Sequence, residues 1–203
     1  MRLKEDFHHT LIIERSEFIC YLHKCLDENQ ARDFIQQIRR LHPDATHHCY
    51  AYIAGAHHEL QRSNDDGEPA GTAGVPMLEA LKKSGLRDLC AVTVRYFGGI
   101  KLGAGGLIRA YSRSVSDTVR LAPKVETVLM DEYELIYSYD LIGKIDHLLK
   151  NSADLIDREY GEQITCHFLS TDASLPLTIS ELTSGQGQLQ KTGTRLVEKD
   201  IPQ

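Results

Sequence analysis

The sequence predicts an α+β fold in two parts, and three observations carry that prediction. Segments with apolar residues at helical spacing alternate with short runs of strand character. A turn signal at Leu121-Ala122-Pro123-Lys124 closes a long helical pattern, and strand-like residues follow it. Formal charge breaks at the same place: residues 1–123 hold 16 Lys+Arg against 15 Asp+Glu, and residues 124–203 hold 7 against 14. The boundary is therefore expected near Pro123, with domains 1–123 and 124–203.

In the first part Phe18–Leu22 reads as a strand. Asp27 is placed to cap a helix whose Ala31, Phe34, Ile35, Ile38 and Leu41 face inward, with Gln30 at the capping-box position and Pro43 as the stop. His47–Ala54 is a strand, and Val75–Lys83 a short helix opened by Pro76. Leu89–Phe97 is apolar enough to be buried on both faces. A helix from about Gly105 to Arg120 buries Leu107, Tyr111, Val115 and Val119 at i,i+4 steps.

The second part reads strand (Glu132–Tyr139), helix capped by Asp140, strand (Leu155–Tyr160), strand (Ile164–Leu169), helix (residues 174–184) and strand (Gln188–Val197). That β-α-β-β-α-β order is the split motif of a ferredoxin-like domain. No chemical motif lies in it.

Composition excludes several classes. No run approaches the roughly 18 apolar residues that span a bilayer, and the charged start, Met1–Asp6, has no apolar stretch after it, so neither membrane nor secretion is expected. Five scattered cysteines read as reduced thiols, which places the protein in the cytoplasm.

Two glycine-rich loops stand out. One runs Asp65-Asp66-Gly67-Glu68-Pro69-Ala70-Gly71-Thr72-Ala73-Gly74; the other follows Arg95-Tyr96-Phe97 and runs Gly98-Gly99-Ile100-Lys101-Leu102-Gly103-Ala104-Gly105-Gly106 into a helix. A strand, a glycine loop and a helix start present backbone N–H groups and a positive helix end to an anion. Arg95, Lys101, Arg109 and Arg113 fall between Asp88 and Asp117 with no carboxylate among them, and Arg120 shares the Arg109/Arg113 face. Anion contact stands beside a plainer reading, in which the glycines make tight turns and close packing. The spacing is neither a Walker A nor a dinucleotide fingerprint. In the first loop Asp65, Asp66 and Glu68 are weak candidates for Mg²⁺; a solvated turn is the alternative, and no resident metal is expected. His47, His48, His57 and His58 with Cys49 lack zinc spacing and read as structural or surface residues, with His48 placed to line the glycine surface. No nucleophile motif or committed acid/base pair is present.

Residues 42–49, 64–78 and 94–111 together resemble the IMPACT family, and the resemblance covers essentially the whole chain. It implies a first domain similar to the second domain of a small-subunit ribosomal protein, a β/α fold shared with elongation factor G and a superfamily of small-molecule kinases. It implies a second domain similar to the ferredoxin-like fifth domain of elongation factor G. Eukaryotic relatives regulate translation through a partner that is not transferred here. The family has no agreed catalytic residues. Its motif surface maps onto His47, His48, Asp65, Asp66, Glu68, Gly71, Thr72, Arg95, Tyr96, Gly98, Gly99, Lys101, Gly103, Gly105, Gly106 and Tyr111; Gly67, Pro69 and Gly74 belong to the same loop.

The expectation is a non-catalytic binding protein linked to translation or its regulation. Its partner is RNA, the ribosome or a translation-related protein, held against Arg95, Lys101, Arg109 and Arg113, with Tyr96 or Tyr111 free to stack on bases. The alternative is a Mg-dependent nucleotide- or phosphate-binding enzyme using residues 98–106. The two loops are expected to meet in space and form one surface.

Overall fold

The computed structural model describes residues 1–55 and 59–201. The chain divides into two compact units, Met1–Glu126 with the chain end from Asp200, and Thr127–Lys199.

In the first unit the elements are β1 (Arg2–Leu3), β2 (Phe7–Ile13), β3 (Ser16–Lys24), α1 (Glu28–Leu41), β4 (His47–Ala54), β5 (Leu60–Asn64), α2 (Gly74–Ser84), β6 (Leu89–Tyr96) and α3 (Gly103–Leu121). Five strands form one sheet in the order β2-β3-β6-β4-β5, each pair antiparallel. The last strand to be made, β6, is central and enters between β3 and β4. It is buried on both faces because helices cover both. Phe18, Cys20, Leu22, Ala51 and Ala91 pack with Met77 and Leu81 of α2 and Leu107, Tyr111 and Val115 of α3. On the opposite face Ile19, Tyr52, Val92 and Val94 pack with Phe34, Ile35 and Ile38 of α1.

Three strands carry no expectation from the sequence: β1, β2 and β5. The β2–β3 hairpin turns at Glu14 and Arg15, whose φ of +47° and +63° supply the left-handed pair of a two-residue turn without Gly or Asn. Asp27 caps α1, its Oδ1 accepting from Gln30 N–H at 2.9 Å, while Gln30 Oε1 reaches back to accept from Leu26 N–H at 2.8 Å. Leu41, expected inward, is 60% exposed at the last residue of the helix.

The second unit takes most of β7 (Lys124–Tyr137), then a 3-10 turn (Tyr139–Leu141), α4 (Ile142–Ser152), β8 (Asp154–Tyr160), β9 (Ile164–Ser170), α5 (Leu175–Leu182) and β10 (Gln188–Asp200). Its strands lie in the order β10-β7-β9-β8. Leu135, Tyr137, Phe168, Ile145 and Ile179 form its core. Asp140 does not cap α4: it sits inside the 3-10 turn, where its Oδ1 accepts from Ser138 Oγ at 2.5 Å, and α4 has no side-chain cap.

Candidate anion-binding site

The acidic loop is held by its own carboxylates. Asp65 Oδ1 accepts from Ala73 N–H at 2.9 Å and Gly74 N–H at 2.8 Å, and Oδ2 accepts from Gly71 N–H at 2.8 Å. Asp65 therefore caps the start of α2 from nine residues upstream. Burial acts to raise its carboxyl pKa, but these three donors outweigh it and hold the group below the usual range. Asp66 turns the other way. Its Oδ1 is 2.5 Å from Arg39 Nη2 and its Oδ2 accepts from His48 N–H at 2.7 Å. Burial again opposes these partners and loses, so Asp66 too is lowered. Thr72 Oγ1 donates to Pro69 O, and Gly67 lies against the His47 ring.

Glu68 is the third carboxylate, and it is buried. Its Oε1 accepts from Arg95 Nη1 at 2.7 Å and from Tyr111 O–H at 2.8 Å. Arg95 is only 5% exposed, and its Nη2 donates to Ser16 Oγ at 3.3 Å. The guanidinium lies over the rings of Phe18 and Phe97, 5.3 and 5.5 Å from their centroids. Two expectations fall here. Arg95 is not a surface cation, because β6 is central and its side chain meets Glu68 beneath the loops. Tyr111 is fully buried on the inner face of α3 and cannot stack on a base. Burial, with Cys49 and Glu68 beside it, pushes its phenol far up, so it remains a donor.

The three carboxylates thus have separate partners, and among the described residues no group of His, Cys, Asp or Glu gathers into a metal site. His57 and His58 lie outside the described residues. His48 is buried with Nε2 against His42 O at 2.9 Å and does not line the glycine surface. His47 sets Nδ1 against Asp66 O at 2.8 Å, which makes Nδ1 the protonated nitrogen, and Nε2 lies 3.8 Å from Glu68 Oε1. Tyr96 is half-buried; its hydroxyl bonds His42 Nδ1 at 2.9 Å, and His42 Nε2 meets Tyr21 O–H at 2.7 Å.

The second loop divides by glycine. A Cβ on Gly98 would stand 2.0 Å from the backbone of Arg15, so this glycine exists for close approach to the β2–β3 turn, and its N–H donates to Ser16 Oγ at 3.2 Å. Here the packing reading wins over anion contact. The start of α3 is different. Leu102 supplies no side-chain cap and the first turn, with Gly103, Gly105 and Gly106, holds no acidic residue. Helix-start N–H groups that no side chain caps are suited to an anion. Lys101 and Arg109 have no carboxylate partner among the described residues, and the Arg109 guanidinium reaches back over Gly105. Arg113 and Arg120 are less free than expected: both pair with Asp117, at 3.1 and 3.5 Å.

Two hollows flank this loop. One, about 370 Å³, is bordered by Glu68 and Pro69 of the first loop and by Arg95, Phe97, Lys101, Leu102 and Gly103 of the second. The other, about 490 Å³, holds Lys101, Leu102, Arg109, Arg113 and Glu14. The loops do meet, through Glu68 and Pro69 rather than Asp66. Ser16, Arg39 and Phe97 are the participants that sequence reasoning missed. Only Phe97, an apolar residue leading into paired glycines, offered a signal.

Comparison with known proteins first gives the class. Residues 14–119, from the β2–β3 turn to near the end of α3, match the Impact N-terminal domain, so the chain is a mixed α/β protein built on that domain. It is 43% identical to IMPACT family member YvyE of Bacillus subtilis (strain 168), over 98% of this chain and 94% of that protein. It is 43% identical to IMPACT family member YigZ of Escherichia coli (strain K12), over 68% of each. A crystal structure of a hypothetical protein covers 94% of this chain and 95% of its own, at 33% identity and a TM-score of 0.59. The chain belongs to the IMPACT family.

Proposed function

We propose that this protein is a non-catalytic, cytoplasmic binding module linked to translation, which takes the phosphates of RNA or the ribosome on the start of α3. One observation carries the reading. An uncapped helix start without carboxylates lies beside Lys101 and Arg109, two cations with no acidic partner among the described residues. The likeness of the two domains to a small-subunit ribosomal protein and to elongation factor G, implied by the family resemblance, supports it. So does the charge contrast, which leaves the first 123 residues the better surface for a polyanion. Among the described residues no helix is long and apolar enough to cross a membrane. The Mg-dependent enzyme reading has less behind it, since Asp65, Asp66 and Glu68 each already serve a structural partner.

The test is binding of a labelled structured RNA, and of ribosomal subunits, across a salt series. Each lysine or arginine on a phosphate adds about one unit to the slope of log affinity against log salt. Replacing Lys101 and Arg109 with Ala should therefore lower that slope by about two. Absence of salt-sensitive binding in the parent protein would overturn the reading.

A further inference from the structure

We propose that the hollow of about 370 Å³ beside the α3 start is a base pocket, taking one unstacked nucleobase of a single-stranded RNA whose phosphates lie on Lys101 and Arg109. The proposal rests on the phosphate-binding reading above and names the form of RNA it takes.

The shape comes first. The hollow falls within the range of small-ligand sites, which are mostly apolar with a few placed polar groups. Pro69, Phe97, Leu102 and Leu107 give it apolar walls. Phe97 is 48% exposed although its ring lies against the Arg95 guanidinium, so part of an aromatic surface stands open to a ligand.

The polar groups then select the ligand. Arg95 borders the hollow, and its Nε is a buried donor without a partner among the described residues. Glu68 borders it too. Among the described residues both of its hydrogen bonds fall on Oε1, which leaves Oε2 as an acceptor without a partner there. Nε has almost no exposed surface, so a ligand meets it only with a small shift of the Arg95–Glu68 pair, and the ligand that gains from that shift accepts from Arg95 and donates to Glu68. A lone phosphate or carboxylate satisfies the arginine but is repelled by Glu68, and an alkyl chain satisfies neither. Every nucleobase carries a donor and an acceptor side by side on its pairing edge, together with a flat face for Phe97. In a duplex that edge is already occupied, so the pocket selects single strands.

The path of the backbone fits as well. Lys101 and Leu102 border both hollows, and the second holds Arg109 and Arg113 with one carboxylate, Glu14, so cations outnumber it there three to one. A base seated in the first hollow therefore leaves its flanking phosphate beside Lys101, with the next one toward Arg109.

The experiment compares two decamers of equal charge, oligoadenylate RNA and a fully abasic ribose-phosphate chain, binding to the full-length protein by fluorescence anisotropy at low salt. Stacking of one base predicts at least about fivefold tighter binding of the base-bearing strand. Phe97→Ala should bring the ratio of the two affinities to about one, and Phe97→Tyr should retain the parent's ratio. Lys101→Ala should weaken both strands alike. Equal affinity of the parent protein for both strands would overturn the base pocket and leave the phosphate reading intact. Binding of neither strand would overturn both.

Discussion

Glu68 Oε1 stands 2.7 Å from Arg95 Nη1, and this one contact ties the acidic loop to the strand that leads into the basic loop. Both side chains are more than nine-tenths buried. Such a pair adds little by itself, but breaking it strands a charge. Glu68→Ala should therefore cost about 3–5 kcal/mol, read as a lower denaturation midpoint at unchanged slope. A loss under about 1 kcal/mol would show that Arg95 finds water when Glu68 is gone.

The glycines of the second loop should separate in the same measurement. Gly98→Ala places a Cβ 2.0 Å from the Arg15 backbone, which cannot rotate away, so a loss of about 1–3 kcal/mol or more is expected. Gly105→Ala meets only the Arg109 guanidinium at 3.5 Å, inside a helix where Ala is favoured. It should be neutral or stabilising by up to about 1 kcal/mol.

Acid should act on the first loop. Asp65 and Asp66 are both held below the ordinary carboxyl value in the folded protein. Their contribution is complete above the unfolded pKa of about 3.9 and is lost as pH falls through the lower folded values. Asp65→Asn, which removes the charge, should thus be less stable than the parent at pH 7, and the gap should close as the pH falls below 4. A constant gap from pH 7 to pH 3 would contradict the capping role of Asp65.

The thiols should be silent. All five cysteines are buried and free. Burial pushes Cys20 up to about 11 and Cys49 up to about 12, leaving little thiolate at pH 8. A disulfide reagent should titrate no cysteine rapidly in the native protein and all five in denaturant.

Local pattern made much of this fold readable. The helices showed as apolar periodicity, His47–Ala54 as an alternating pattern and Leu89–Tyr96 as part of an apolar run. β2 did not, because its turn residues Glu14 and Arg15 carry no turn signal and its outward positions mix His, Thr and Ile. β5 is five residues with polar members throughout. At the site, composition revealed the loops but not their wiring. Whether Arg95 faces water depends on Glu68, 27 residues away, and on Ser16, 79 residues away. Whether Arg113 is free depends on Asp117, one helical turn on, which a count of carboxylates ending at that position left out.

The place of β6 also bears on how the chain is made. Until Leu89–Tyr96 leaves the ribosome, the first unit can form two hairpins, β2–β3 and β4–β5, that have no partner in each other. Each then exposes a strand edge able to recruit a second molecule. Emergence of β6 closes both inner edges together and delivers Arg95 to Glu68 in the same step. A nascent chain whose β6 has not emerged thus exposes two strand edges that the finished sheet hides, and the sheet face under α3 stays open until that helix follows.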